Sequence, residues 1–498
     1  MPKQIDELPL VGIHIEFNSV VPLYKQLYNF IREAILSRRL KGGQKLPGTR
    51  TFSSELNISR NTVVQAFEQL MIEGYINGKI GAGTYITNDI PDKFLTVKKT
   101  QSEIKNKTKP FSLKLDKRFG TPALIHRNYS EDEIIPFQNG LPSLEDFPFQ
   151  TWLRIINKNG TYIPSLQFGY KSSTGYQPLK EAIANYLQTY RAVNCVPEQI
   201  VIVNGSQQGL DLIGRTLLKE NDNVLLEDPG YFGTRASVLS ANVNILPTPV
   251  DDEGINIDYA AKNYPRPDFI YTTPSHQYPL GSTMSISRRL KLLEYADNND
   301  AWIIEDDYDS EFRYTGSPLP SLQGMDKFNR VIYIGTFSKV LFPGLRLGYL
   351  VLPNIEMVNS FAVVKSITDR QSPIFEQIVL TKFIEGGHFT KHIRKMRMLY
   401  KERQAFLIAE LKKETGGLLE VNPSNAGMHI VAWLPEKFND KKISDLAKEN
   451  KIIVSPVSEY VLKFNRRPGL VIGYTAFNKS KLKAGVQSLK KILMSYSG

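Results

Sequence analysis

The chain has 498 residues, 41% hydrophobic and 22% charged, which suits a globular protein of two or three domains, each with its own core. No apolar run approaches the roughly 20 residues needed to span a bilayer, and the start, Met-Pro-Lys-Gln-Ile-Asp-Glu, lacks the basic-then-apolar order of a signal peptide. Cys195 is the only cysteine, which excludes an internal disulfide and fits a cytoplasmic protein with no membrane partner, while the net charge of +12 invites an anionic partner without deciding which.

In chain order, an apolar stripe of helical spacing (Leu23, Leu27, Phe30, Ile31, Ala34, Ile35) follows Pro22 and is broken by Gly42, Gly43 and Pro47. Residues 51 to 57 predict a short second helix, and Asn57-Ile-Ser59 a turn. Ser59 is then the N-cap of a third helix that buries Val63, Ala66, Phe67 and Leu70 and stops at Gly74. Tyr75-Ile76 and Thr84-Tyr85-Ile86 flank a glycine-rich turn and read as a two-stranded wing. Two short helices, a tight turn and a β wing make a winged helix-turn-helix, an α+β unit whose second helix enters the major groove of double-stranded DNA. The candidate base readers are Ser59, Arg60, Asn61 and Thr62, which face away from the apolar side, and Arg50 and Lys79 are candidates for phosphates. The segment resembles the DNA-binding head of the GntR regulators through Pro22-Leu-Tyr24, Leu46-Pro-Gly-Thr-Arg50, Ser59-Arg-Asn-Thr-Val63, Glu73-Gly-Tyr75 and Gly81-Ala-Gly-Thr84. That resemblance adds Gly81 to the DNA-contacting set and sets a domain over 15–88.

From Lys93 to Arg118 there are nine Lys or Arg against two acids, Glu103 and Asp116, with few large apolar residues. Residues 89–134 therefore read as a basic, flexible linker that either tracks the DNA backbone or simply spaces the domains. From 135 to 498 short apolar runs alternate with helical patterns: Ile200–Val203, Val224–Leu226, Phe269–Thr272, Trp302–Ile304, Val331–Ile334 and Leu347–Leu352. The alternation predicts an α/β body with a mostly parallel sheet and ligands at the strand ends.

The motifs fall at those ends. Asn204-Gly-Ser-Gln-Gln-Gly209 opens a helix, where backbone N–H groups, Ser206 and Gln207 suit a phosphate. Glu227-Asp-Pro-Gly-Tyr231, Thr273-Pro-Ser-His-Gln-Tyr-Pro-Leu-Gly281 and Glu305-Asp-Asp-Tyr308 follow later runs, and Glu305 and Asp307 are open to being surface acids. After Val331–Ile334, Lys339 sits among Phe337, Val340, Leu341 and Phe342, surroundings that favour a neutral, nucleophilic amine. Arg346, with the hydroxyls of Thr336 and Ser338, can grip a phosphate. An aldehyde that carries a phosphate is pyridoxal 5′-phosphate (PLP), and no metal is expected.

The stretch Tyr333 to Tyr349 resembles the lysine motif of fold-type I aminotransferases, and head, linker and body together resemble the MocR branch of the GntR regulators. The resemblance implies a PLP-binding body with a small C-terminal α/β subdomain from about residue 375. Lys339 then forms the Schiff base, Asp306 meets the ring nitrogen and keeps it protonated, Tyr308 reaches the ring oxygen and Tyr231 stacks on the ring. Tyr278 stands where the family has Asn, so His276 or Gln277 is the candidate replacement at the ring oxygen. Tyr170, in Gly169-Tyr170, helps to build the partner subunit's site in family members, which implies a dimer, and the MocR resemblance implies that the homodimer is head-to-tail. Val471, in Val471-Ile-Gly-Tyr474, replaces the arginine that grips a substrate carboxylate in transaminases, and losing such a contact costs about 1.5–3 kcal/mol. Arg466 and Arg467 are the nearby candidates for substitutes. The expectation is a PLP-dependent transcriptional regulator that senses PLP itself. A regulator answering to an amino acid, an active aminotransferase with a DNA-binding head and a vestigial dimerisation scaffold are the alternatives.

Overall fold

The computed structural model describes residue 13 and residues 15–79, 83–88, 134–160, 169–316 and 319–497. The chain divides into two compact units, residues 1–113 and 114–498. Most of the linker expected over 89–134 lies outside the described residues.

The first unit holds α1 (Leu23–Leu36), β1 (Lys45–Leu46), α2 (Thr49–Glu55), α3 (Arg60–Ile72), β2 (Ile76–Lys79) and β3 (Gly83–Ile86), with the strands in the order β1-β3-β2. The helical stripes meet in one core, where Leu27, Ile31 and Ile35 of α1 join Phe52 of α2 and Val63, Phe67 and Leu70 of α3. Phe52 and Phe67 meet edge to face with ring centroids 5.5 Å apart. Asn57, at φ 52, takes the left-handed conformation between α2 and α3, which an asparagine tolerates well. The Ser59 side chain then accepts from the Thr62 N–H at 3.1 Å and starts α3. The wing is the antiparallel pair β2–β3, with Lys79 opposite Gly83.

The second unit is built on an eight-stranded sheet. Its strands are β4 (Ile200–Val203), β5 (Asn223–Asp228), β6 (Asn244–Asp251), β7 (Gly254–Ile255), β8 (Phe269–Thr272), β9 (Trp302–Asp307), β10 (Val331–Thr336) and β11 (Gly348–Val351). They lie in the order β4-β11-β10-β9-β8-β5-β6-β7. Neighbours from β6 through β5, β8 and β9 to β10 are parallel, and β11 runs antiparallel to both β10 and β4. All six apolar runs predicted as strands lie in it. The sequence reading omitted β6, whose Pro247 and Pro249 break the usual strand pattern; pairing with β5 holds it in place.

The period of two in each strand sorts the core into faces. Val224, Leu226, Ile332 and Ile334 pack with α6 (Ser206–Leu217) and α11 (Ile355–Thr368). Leu225, Ile270, Ile303 and Val331 pack on the other side with α8 (Ile257–Asn263) and α9 (Ile286–Asn298). A third cluster joins α5 (Gln177–Arg191), α12 (Ile374–Glu385) and α13 (His388–Thr415) to a four-stranded antiparallel sheet. That sheet runs β12 (Glu420–Val421), β13 (His429–Trp433), β15 (Gly469–Gly473), β14 (Ser455–Pro456), and is flanked by α14 (Asp440–Glu449) and α15 (Lys479–Ser497). The other helices are α4 (Phe149–Gly160), α7 (Phe232–Leu239) and α10 (Leu322–Met325). Among the described residues no helix is long and apolar enough to cross a membrane.

Candidate functional site

In the first unit the start of α3 presents Arg60 and Asn61 to solvent, and Arg50 on α2 is exposed as well. Ser59 and Thr62 serve the cap, their hydroxyls 2.9 Å apart, and Thr62 is half-buried. Gln65, one turn beyond Asn61, is exposed on α3 and was not singled out from the sequence; the helical period places it there. The Lys79 side chain and Gly81 lie outside the described residues.

In the second unit a cavity of about 330 Å³ opens at the C-terminal ends of the parallel strands. Ser206, Gln207, Tyr231, Asp306, Tyr308 and Lys339 all line it. Lys339 lies beyond the end of β10, and its Nζ donates to the Gly140 carbonyl at 2.9 Å. Gly140 has φ 74, and a Cβ there would stand 2.9 Å from Nζ, so a side chain at this position would crowd the amine. Asp306, near the end of β9, is buried. Its Oδ2 accepts from the Tyr271 hydroxyl at 2.7 Å, whereas Oδ1 has no partner among the described residues. Burial pushes its pKa up to about 7, against the Tyr271 hydrogen bond. An unpaired carboxylate oxygen held in a desolvated wall is a place for a cationic N–H.

The start of α6 offers a candidate phosphate cradle. Gly205, at φ 88, precedes α6, and Ser206 is its first residue. The Arg346 guanidinium donates to the Asn204 carbonyl at 2.8 Å, and a Cβ on Gly205 would meet its Nη2 at 2.9 Å. Asp369 braces the same loop by accepting from Asn204 Nδ2 and Gln208 Nε2, both at 2.8 Å, while pairing with the buried Lys365. Gln207 lines the cavity but spends its amide N–H groups on Gly233 O and Ser237 Oγ, which leaves it a poor phosphate donor. Arg346, Thr336 and Ser338 do not line the cavity itself. Thr336 Oγ1 accepts from the Ser338 N–H at 3.2 Å, and the Ser338 hydroxyl is buried with no partner among the described residues. An amine, an unpaired carboxylate, a helix N-terminus beside an arginine and an unused hydroxyl fit a phosphorylated pyridine aldehyde.

Four expectations need correction. His276 does not reach the cavity; it stands behind Tyr308, its Nδ1 2.9 Å from the Tyr308 hydroxyl and 3.0 Å from Asp309 Oδ2. Gln277 is buried too, donating to Glu227 Oε2, Pro229 O and Tyr278 O. The hydroxyl that faces the cavity at this point is that of Tyr278, 3.0 Å from the Tyr460 hydroxyl and 3.2 Å from Asn139 Nδ2. Nor are Glu305 and Asp307 surface acids. Glu305 is fully buried and accepts from the N–H groups of Leu322 and Gln323 at the start of α10, and Asp307 binds Arg191 and the Tyr333 hydroxyl. Period two along β9 turns both away from the cavity, into the core.

The far wall comes from the small sheet. Val471 is buried in β15 opposite Val431, in a cluster with Val457 and Tyr460. Among the described residues no arginine lines the cavity. Arg466 donates to the Val250 carbonyl, and Arg467 binds Leu434 O at 2.8 Å and pairs with Glu420. His429 does line the cavity, with Nε2 on the Pro279 carbonyl at 2.9 Å, and burial with His276 nearby lowers its pKa to about 3, so it is neutral. Asn139, Met428, His429 and Tyr460 were not singled out as site residues, although Ala426-Gly-Met-His429 matches a strand entry of the family the sequence resembles. Tyr170 lies outside the cavity, 80% exposed, its ring 4.9 Å from the Arg370 guanidinium.

Comparison with known proteins agrees with this geometry. Residues 23–86 match the family of bacterial regulatory proteins, gntR family, and residues 138–489 match aminotransferase class I and II. The chain is 36% identical over 484 residues to the probable rhizopine catabolism regulatory protein MocR of Rhizobium meliloti, covering 95% of this chain and 94% of that one. It is 29% identical over 463 residues to the HTH-type pyridoxine biosynthesis transcriptional regulator PdxR of Corynebacterium glutamicum, covering 92% and 93%. The crystal structure of Pyrococcus horikoshii kynurenine aminotransferase, in complex with PMP, KYN as substrates and KYA as products, superposes with a TM-score of 0.68 at 27% identity, covering 77% of this chain and 98% of that one.

Proposed function

We propose, starting from the fact that the chain belongs to the MocR subfamily of the GntR transcriptional regulators, that its aminotransferase-like body holds PLP and that PLP itself is the effector. When bound, the cofactor supplies an electrophilic aldehyde and a pyridine ring. Lys339 is the amine that attaches the aldehyde, and Asp306 keeps a proton on the ring nitrogen. Tyr308 would meet the ring oxygen, its hydroxyl oriented by His276, which Asp309 braces in turn. Ser206, the N-terminus of α6 and Arg346 take the phosphate, and Tyr231 lies against the ring. The observation that carries the choice of effector is Val471, buried in the small sheet beside Tyr460, whose ring lines the cavity. A buried valine cannot donate to a carboxylate, and among the described residues lining the cavity no arginine stands in for it. The relative PdxR, a regulator of pyridoxine biosynthesis, points the same way.

Operator DNA is bound by the head through Arg60, Asn61 and Arg50, with Ser59 and Thr62 building the cap, in a cytoplasmic protein with a linker over about 89–134. A head-to-tail homodimer completes the reading. It is supported by the apolar side chains that α11 leaves in water, Val363 at 60% and Ile367 at 82% exposure. The cluster of Asn139, Tyr278 and Tyr460 favours one second reading, a ligand that brings its own amine and is held by neutral hydrogen bonds rather than by an arginine.

The test is the visible absorption of the purified protein with PLP, titrated with amino acids, beside Lys339→Ala. The expected result is a yellow band that needs Lys339 and that no amino acid shifts, with operator affinity changing on addition of PLP alone. A band displaced by one amino acid, together with an operator response to it, overturns the choice of PLP as effector. Absence of any Lys339-dependent band overturns the cofactor site.

A further inference from the structure

A second cavity, of about 230 Å³, is lined in part by the segment that follows β9. Asp306 of β9 and Tyr308 just beyond it line the first cavity, whereas Ser310, Glu311 and Arg313 line the second. Its remaining walls come from the end of α5, with Tyr186, Tyr190 and Arg191, and from the start of α13, with Arg394 and Arg397. Four arginines therefore surround one recess, against a single lining carboxylate.

Their partners show what the recess lacks. Arg191 is buried and already neutralised, its guanidinium 2.8 Å from Asp307. The Arg397 Nε donates at 3.0 Å to the backbone carbonyl of Glu311, which carries no charge. Among the described residues neither Arg313 nor Arg394 forms an ion pair, and the Nε of Arg313 is shut off from water with nothing to bond. Glu311 does little to balance them. Its Oε1 accepts from the Tyr186 hydroxyl at 3.2 Å, its Oε2 is buried without a partner, and burial, then the charge of Asp307, raises its pKa to about 7. Arg313 is half-buried and Arg394 and Arg397 are exposed, so three cations converge on one recess with little counter-charge, an arrangement that an anion relieves. On a flat surface, water and salt would suffice.

We propose that this recess is a second ligand site, distinct from the cofactor site, for a small dianion of the dicarboxylate or phosphate-monoester class, held by Arg313, Arg394 and Arg397. Guanidinium groups suit such ligands because each offers paired donors in a plane. The volume admits a molecule of a few heavy atoms, and the rings of Tyr186 and Tyr190, 5.3 Å apart, form an apolar side wall for its carbon skeleton. A DNA backbone is the poorer match, since a duplex lays its phosphates along an open groove or ridge rather than into a recess this size.

The test uses the full-length protein saturated with PLP, so that the phosphate cradle at α6 is filled. It is titrated by calorimetry with inorganic phosphate, with succinate, and with acetate as the monoanion control. The expected result is saturable uptake of one dianion per chain and no saturable uptake of acetate. Arg394→Ala and Arg397→Ala should each weaken it at least about tenfold, with the thermal midpoint and the Lys339-dependent band unchanged. Phosphate alone binding assigns a phosphate ester, and succinate binding assigns a dicarboxylate. The proposal is overturned if neither dianion saturates, if acetate competes equally, or if both variants bind the dianion like the parent. It is also overturned if the variants lose operator affinity while dianion binding stays intact, which would make the arginines a DNA contact.

Discussion

The head and the body solve opposite problems with charge. In the head the groups offered to a ligand, Arg50, Arg60 and Asn61, are in water, and the core beneath them is apolar apart from its tyrosine hydroxyls. In the body the groups that matter are taken out of water: Asp306, Glu227, Glu305 and Asp309 are all buried, and burial raises each of their pKa values. A DNA-reading surface needs only the right side chains on a rigid helix, because its ligand brings a dense field of charge. A small-molecule site must hold its charges in place against their own desolvation, and it uses tertiary structure to do so.

If the two regions are as independent as this contrast implies, Phe67→Ala removes the centre of the head core and costs the head about 3–5 kcal/mol. Operator binding then fails while the body's own thermal transition and its PLP band persist. A joint loss in calorimetry would show one cooperative unit and break the comparison.

The buried carboxylates sharpen it. The folded pKa of Asp306 is raised to about 7, above an unfolded value of about 4, so the folded state binds the extra proton. Its contribution is fully present below about pH 4 and is lost as pH rises through about 7, by up to roughly 4 kcal/mol. The neutral histidines His392 and His429, lowered to about 4 and about 3, act in the opposite sense below their ordinary range. The clean readout is therefore a difference. Without cofactor, Asp306→Asn should become more stable relative to the parent between pH ~4 and ~7, whereas head variants leave this pH dependence unchanged. Equal slopes for parent and variant would mean that Asp306 is not desolvated in solution.

Smaller effects are expected in the head. Arg60→Ala should weaken operator binding by about 1–3 kcal/mol and relax the choice of base at one position, as competition among single-base operator variants would show. A uniform loss over all variants would assign Arg60 to a phosphate. Ser59→Ala should cost the head about 1 kcal/mol through the cap on α3, read from its denaturation midpoint. Thr62 has less to lose, since its hydroxyl faces the cap.

Much of this protein follows from local pattern. Helical stripes, the Ser59 cap, the runs that become β4, β5, β8, β9, β10 and β11, and the motifs at their ends all depend on neighbours in sequence, and periods of 3.6 and 2 report such neighbours directly. Other features required the folded chain. Two prolines concealed β6, which exists because β5 pairs with it. His276 stands in a loop that sequence spacing aims at the cofactor, yet Asp309 and Tyr308, from the end of β9, hold it behind the wall. Asn139, Tyr278, His429 and Tyr460 meet around one cavity from four separate segments, and the second recess gathers arginines from α5, α13 and the segment after β9. The sequence by itself determined the element types, the two-part plan and the residues able to carry charge. The tertiary structure alone decided which of those charges lost water and which lost their partners, because desolvation depends on everything packed around a group and not on its neighbours along the chain.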